Sequence, residues 1–336
     1  MTNNEKKANV LKNNPLVKAV GSQQIIVLLA VIVLALVFCI ASPVFRKYTT
    51  FLSLLDAMYY LAFMAIGVTF CLITGGNDLS IGTGMICYSL IGAFLVNKCN
   101  VPVVLGLLIC IVCGIIMGAF NGFLVAVMNL PPFIATLCTM MITRGLGSIV
   151  TGGLSIAWPG SGSEQGFYRN LFKFNTGEFI IPMGLILIIL SVVIMSTILN
   201  KTRPGRYIIA IGSNKEALRL SGVNVVKWQW LAYIICGIFT GFASIAYASV
   251  LASSVAPGSG AGLEMDAICA AIIGGTSMKG GSGTIIGTML GVLVMALLKI
   301  GLPFVGFQAN MQQIITGLVL ILAVYVDVLK NSKKAK

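Results

Sequence analysis

Side chains able to do chemistry are scarce in this 336-residue sequence. Histidine is absent, which removes the commonest general acid or base and the commonest metal ligand. Cys110 and Cys113 have the Cys-x-x-Cys spacing without a second pair nearby, so zinc and redox chemistry are disfavoured. The nine cysteines, nearly all in apolar runs, read instead as small buried hydrophobes. There is no G-x-x-x-x-G-K-[ST] phosphate loop, so the chain does not bind ATP by that route. Gly258-Ser259-Gly260 and Gly281-Ser282-Gly283 lack the soluble strand, helix and distal acid of a dinucleotide site. The expectation is therefore no catalytic residue, no metal and no cofactor.

The polar residues within apolar surroundings are few enough to name: Asp78, Asn121, Arg144, Glu264 and Asp266. A charge in hydrocarbon is costly, so these face a bundle interior, a pore or a membrane surface, or they serve as structural ion pairs and helix caps. Asp78 and Asp266 each stand near an expected helix start and suit an N-cap. Around them glycines cluster, as Gly75-Gly76-Asn77-Asp78-Leu79-Ser80-Ile81-Gly82 and as Gly274-Gly275-Thr276-Ser277-Met278-Lys279-Gly280-Gly281. At an offset of 199 residues the glycines at 75, 76, 82 and 84 match those at 274, 275, 281 and 283, which suggests an internal repeat. Paired glycine breaks of this kind point to a transport pathway, and they equally suit close helix packing through small residues. The two readings are compatible.

These residues must be positioned by spans. Of the 336 residues 58% are apolar and 9% charged, with a mean hydropathy of +1.00, against about 25% charged in a soluble domain. A helix crossing the hydrocarbon core needs roughly 20 apolar residues. The sequence predicts an all-α polytopic transmembrane helical bundle of about ten spans, the third and eighth of them short: 24–45, 51–74, 82–97, 103–128, 133–152, 179–200, 228–252, 263–276, 283–301 and 310–329. Residues 1–22 are a cytoplasmic leader, 23–330 the membrane domain and 331–336 a cytoplasmic tail. With the N-terminus inside, inner segments hold 15 lysines and arginines and outer segments 5. This bias places both termini in the cytoplasm. It also accounts for the net charge of +13 without nucleic acid. Two connections are long: 153–178, expected outside, and 201–227, expected inside with a short polar helix around Asn214 to Ser221.

The inner connection runs Thr202-Arg203-Pro204-Gly205-Arg206, then Ala210-Ile211-Gly212-Ser213-Asn214-Lys215-Glu216-Ala217-Leu218-Arg219-Leu220-Ser221-Gly222-Val223-Asn224. It resembles the loop of the ribose and galactose permeases of bacterial ATP-binding-cassette importers. The Gly75–Gly82 run is similar to that family's G-x-D-L-S-x-G motif. Asn121-Gly122 with Pro132-Phe133-Ile134-Ala135-Thr136-Leu137, and Glu264-Met265-Asp266-Ala267-Ile268 followed by Gly274-Gly275-Thr276-Ser277, resemble its later blocks. The likeness covers about residues 24–330. Lys279 and Pro204 depart from the family pattern.

The resemblance implies a cell-membrane permease, not an enzyme, that pairs with a second permease copy within the lipid. A separate cytoplasmic ATPase drives it, and an extracytoplasmic sugar-binding protein delivers a ribose-like pentose or galactose-like hexose. It implies that Arg203, Gly205, Arg206, Asn214, Lys215, Glu216, Ala217, Arg219, Ser221 and Gly222 couple to the ATPase. Within this loop Asn214 would cap a coupling helix, and Ala217 and Gly222 would allow close approach. Expected contributors to the path are Asn77, Asp78, Ser80, Asn121, Phe133, Thr136, Thr139 and Asp266. The alternatives are an ion-coupled secondary transporter, a permease of this family for another small polar solute, or a membrane scaffold.

Overall fold

The computed structural model describes residues 22–177, 179–250 and 254–334. Residues 1–21 of the expected leader, with Lys6, Lys7, Lys12 and Lys18, lie outside the described residues, as do the last two residues of the tail. Helices account for nearly everything: α1 (Ser22–Ala41), α2 (Tyr48–Ile73), α3 (Ile81–Lys98), α4 (Val103–Gly122), α5 (Pro132–Thr151), α6 (Gly184–Lys201), α7 (Arg203–Leu220), α8 (Val225–Val250), α9 (Leu263–Ile273), α10 (Ile285–Phe304) and α11 (Ala309–Lys334). Two-residue strands form two small antiparallel pairs. β1 (Ile156–Ala157) pairs with β4 (Ser254–Val255), and β2 (Phe174–Asn175) pairs with β3 (Ile180–Ile181).

Among the described residues eight helices are long and apolar enough to cross a membrane: α1 to α6, α8 and α10, with α4 continued by a π-helical turn over Phe123–Val127. Eight of the ten expected segments thus have the length and composition of a span. The expected span over 263–276 is instead the 11-residue helix α9. At 1.5 Å per residue it is about 16 Å long, half of what the hydrocarbon core requires. The expected span over 310–329 lies in α11, whose described apolar run is Met311–Leu322. Pro132 opens α5, as the sequence predicts.

The centre of the bundle is α2, buried at 20 of its 26 positions. Apolar side chains gain little by leaving lipid for one another, so close packing has to hold such helices together. Gly237 of α8 abuts the backbone of Gly114 and Gly118 on α4, with no room for a Cβ. On its other side α8 stacks Phe239 against Phe63 of α2, with centroids 6.3 Å apart.

The connections gather at two ends. At one, Tyr48 donates to the Ile180 carbonyl at 2.6 Å, and Trp158 Nε1 donates to Ser89 Oγ at 2.9 Å. Lys173 pairs there with Asp56, and Tyr168 of the 153–183 connection is buried. At the other end lie the turns after α2 and α9 and the whole of α7. Gly281 N–H donates to the Ile73 carbonyl at 2.9 Å, and Gly212 of α7 is pressed against Ile73 and the Gly280-Gly281 backbone.

Helices α3 and α5 run side by side in the same direction, with Gly147 against Cys87 and Leu90. The Thr83 and Thr143 hydroxyls lie 2.8 Å apart. Thr143 is about 16 Å from the start of α5, so α3 begins at half-depth. Residues 256–262 descend beside α3 from the β1–β4 pair as irregular turns. They bring Gly260 against Gly82, and α9 starts at that level.

Candidate functional site

The half-depth break is prepared by helix endings. In α2 the N–H groups of Gly75 and Gly76 return to the carbonyls of Leu72 and Cys71 at 2.9 and 3.1 Å. In α9 those of Gly275 and Thr276 return to Ile272 and Ala271 at 2.9 and 3.0 Å. Both are Schellman endings, with Gly75 at φ 81° and Gly275 at φ 98°, values that favour glycine. The two glycine clusters are therefore structural equivalents, at an offset of 200 rather than 199. The correspondence ends there. Gly82 lies in the first turn of α3, whereas Gly281 lies in a longer connection before α10.

Beyond the α2 ending the chain turns back on Asp78, which is 2% exposed. Its Oδ1 accepts from the Ser80 N–H at 2.9 Å and from Ser80 Oγ at 2.6 Å. Asn121, one residue before Gly122 and the π-helical turn, donates to its two oxygens at 3.3 and 3.2 Å and to Ser80 Oγ at 2.9 Å. Its own Oδ1 has no partner among the described residues. The expected N-cap role of Asp78 is corrected: Ser80 holds the N-cap position, and Asp78 closes the turn before it. The thiols of Cys71 and Cys236 border the same carboxylate, all three ligand-type atoms lying within 4.8 Å of one another. Ser80 and Asn121 already occupy its oxygens. Tyr233 donates to the carbonyl of half-buried Asn77 at 3.3 Å.

On α9, Glu264 Oε1 accepts from the Gly262 N–H at 3.1 Å. Asp266 lies inside the helix rather than at its cap and pairs with Lys299 of α10 at 3.5 Å. Lys299 also sits 5.5 Å from the centroid of the Tyr60 ring. Beside this pair a cavity of about 610 Å³ opens between α9, α10 and α11, lined in part by Met265, Gln312, Gln313 and Thr316. Thr136 and Thr139 are fully buried and donate to carbonyls of their own helix at 2.8 and 3.1 Å. Phe133 is 55% exposed on the outside of α5. The structure thus joins Asp78, Ser80 and Asn121 in one cluster and keeps Asp266 and Phe133 apart from it.

The inner-loop residues form a kinked helix. Arg203 and Arg206 are exposed and Gly205 is buried in the first turn of α7. At Asn214 the backbone becomes extended (φ −160°, ψ 96°) before helix resumes. Asn214 Oδ1 accepts from the Ala217 N–H at 2.9 Å, which is N-cap geometry for the second segment. Lys215, Glu216, Ala217, Arg219, Ser221 and Gly222 are all exposed. Lys215 donates to Gln229 at 3.1 Å, and Glu216 pairs with Arg219 at 3.1 Å. A shallow groove runs along this helix past Arg206, Ala210, Asn214 and Ala217.

Sequence reasoning passed over Asp56, although it is the one acid in an otherwise apolar run over 51–73. It also passed over the Lys299 partner of Asp266 and the thiols around Asp78. Lys299 and Cys236 have no local signal, since they lie far from Asp266 and Asp78 in sequence, whereas Cys71 stands only one span-end away from Asp78.

A polytopic helical bundle with broken helices at half-depth and an exposed kinked helix at one end defines a multi-pass membrane permease. The family model described as branched-chain amino acid transport system / permease component matches residues 50–324, and the chain belongs to that family. It is 35% identical to the ribose import permease protein RbsC of Escherichia coli (strain K12) over 309 residues, covering 89% of this chain and 92% of that protein. Against RbsC of Bacillus subtilis (strain 168) it is 35% identical over 305 residues, covering 90% and 92%. The galactose/methyl galactoside import permease protein MglC of Haemophilus influenzae is 34% identical over 311 residues, covering 87% and 90%. No solved structure matches the chain.

Proposed function

We propose that the chain is the membrane-spanning permease subunit of a bacterial ATP-binding-cassette importer for a monosaccharide, a ribose-like pentose first and a galactose-like hexose next. The observation that carries this reading is the Asn214-capped segment. It is exposed for docking on one side, while Gly212, two residues earlier, presses on the end of α2 and on Gly280-Gly281 beneath. A cytoplasmic ATPase would seat on that segment through Ala217, Arg219 and Ser221, and its closure would move α7. The relatives named for ribose and galactose import support the sugar class.

In this reading both termini lie in the cytoplasm, and α7 faces the ATPase. The 153–178 connection at the opposite end receives a sugar-binding protein, with Phe167, Leu171 and Phe174 exposed there. A second copy completes the path. The expected path residues divide into three groups: Asn77, Asp78, Ser80 and Asn121 set the break in the bundle, Thr136 and Thr139 stay within the wall, and Phe133 and Asp266 stand apart.

The test is reconstitution of the permease with its ATPase and binding protein in proteoliposomes. Uptake of radiolabelled D-ribose, D-galactose and L-leucine is then followed with and without ATP. Sugar uptake that requires ATP and survives an ionophore supports the reading. Uptake without the ATPase that collapses with an ionophore overturns it in favour of an ion-coupled transporter. Leucine uptake in preference to either sugar overturns the substrate class.

A further inference from the structure

Among the described residues Arg144 touches no acid directly. It is the thirteenth residue of the 20-residue helix α5 and follows Thr143, whose hydroxyl meets Thr83 at half-depth. Its side chain is exposed, and among the described residues it makes no hydrogen bond or ion pair. The other intramembrane charges are engaged: Asp56 with Lys173, Asp78 with Asn121, Asp266 with Lys299. Glu264 interacts with Arg144 only through space.

The helix surface around it is otherwise apolar, with Met141, Ile142, Leu146 and Ile149 exposed. A lone guanidinium at half-depth on such a face is strongly disfavoured in lipid. A second observation bears on the same face. Arg144 shares a small cleft with Pro257, Gly258 and Gly260 of the irregular segment that descends beside α3. Gly258, Ser259, Ala261 and Gly262 of that segment are exposed. Non-helical backbone at membrane depth is tolerated only against protein or beside water. Both the charge and the open backbone therefore exclude lipid from this face, and none of the described residues covers it. By contrast α4 and α6 expose only apolar side chains over their middle turns, such as Ile116 and Leu190.

We propose that Arg144, with the 257–262 segment beside it, lines the aqueous path at half-depth and is a positioning residue for a polyhydroxylated solute. A guanidinium offers five N–H donors in a fixed plane and stays charged. Sugar hydroxyl oxygens accept such donors in any ring form, and exchange with water is quick because no anion anchors the solute. The site thus accepts neutral polyols and holds them briefly, whereas a carboxylate or phosphate would be held more tightly. This proposal deepens the permease reading and rests on it for the solute class.

Two measurements test it, both on the complex with ATPase and binding protein in proteoliposomes. In the first, Arg144→Cys is made with the exposed Cys99 and Cys138 replaced by serine and treated with a membrane-impermeant methanethiosulfonate. Labelling that changes between ATP-bound and nucleotide-free states is expected, with Ile116→Cys and Leu190→Cys unlabelled. In the second, uptake of D-ribose and D-galactose is measured for Arg144→Gln and Arg144→Lys. Loss of one charged hydrogen bond to the solute corresponds to about tenfold slower uptake for the glutamine variant, with ATP hydrolysis retained and partial recovery in the lysine variant. Wild-type uptake in Arg144→Gln overturns the proposal. So does an Arg144→Cys thiol as unreactive as the lipid-facing controls in every nucleotide state. If the unmodified complex shows no ATP-dependent sugar uptake, the permease reading itself fails. The labelling result then still decides whether this face is wet.

Discussion

Asn121 donates its carboxamide to both oxygens of Asp78, at 3.3 and 3.2 Å, across 43 positions of sequence. The contact ties α4, at the point where it passes into a π-helical turn, to the bend that lets α3 begin at half-depth. Removing one partner of a buried hydrogen-bonded charge costs about 1–3 kcal/mol. Asn121→Ala should therefore lower the melting temperature of the purified permease. Asn121→Asp should lower it further, because it sets two buried carboxylates side by side. Equal melting temperatures for all three proteins would show that the contact contributes nothing to stability.

The second segment of α7 separates folding from coupling. Asn214→Ala removes the carboxamide that accepts from Ala217, a loss of about 1 kcal/mol confined to that segment. Ala217→Trp fills an exposed position and leaves the melting temperature unchanged, yet it should abolish sugar-stimulated ATP hydrolysis in the assembled transporter. Normal coupled transport in Ala217→Trp would remove the segment from the ATPase interface.

Two glycines in long helices should respond oppositely to alanine. Gly237→Ala pushes a methyl into the α4 backbone, so α8 and α4 must move apart and the melting temperature falls. Gly145 has open space where a Cβ would stand. There alanine gains up to about 1 kcal/mol of helix propensity, and the protein should melt at the same temperature or higher. Thermal unfolding in one detergent checks the pair.

The 153–183 connection is pinned by Lys173 on Asp56, whose side chains are 29% and 20% exposed. A partly solvated pair of this kind contributes at most about 1 kcal/mol, so Asp56→Asn should leave overall stability almost unchanged. It should instead free the connection locally, and trypsin should cleave after Lys173 faster than in the parent protein. An unchanged cleavage rate would place the anchoring elsewhere, in Trp158 and buried Tyr168.

Much of this was legible from the chain. Apolar length marks α1 to α6, α8 and α10, because a span has to satisfy its own backbone in hydrocarbon. The glycine pairs mark both broken turns, and the asparagine at 214 marks the cap. The half-length of α9 was partly legible, since the expected span over 263–276 is already short; Gly274, Gly275 and Thr276, counted into it, form the helix ending rather than another turn. Gly258, Gly260 and Gly262, all before Leu263, carried the better clue. The offset between the repeats shifted by one because glycine-rich stretches align in several registers, and only the φ values at Gly75 and Gly275 fix which residues correspond. Ion pairs such as Asp56 with Lys173 lie 117 residues apart and leave no trace in local pattern.

Gly212 leaves no side chain between α7 and the carbonyl of Ile73 or the backbone of Gly280 and Gly281. Side-chain layers between helices absorb small displacements by changing rotamers, whereas backbone pressed on backbone has no such slack. A thrust delivered to α7 therefore arrives undamped at the end of α2 and at the connection between α9 and α10 at once. The gearing has almost no backlash, and a single added methyl at 212 would jam it rather than loosen it.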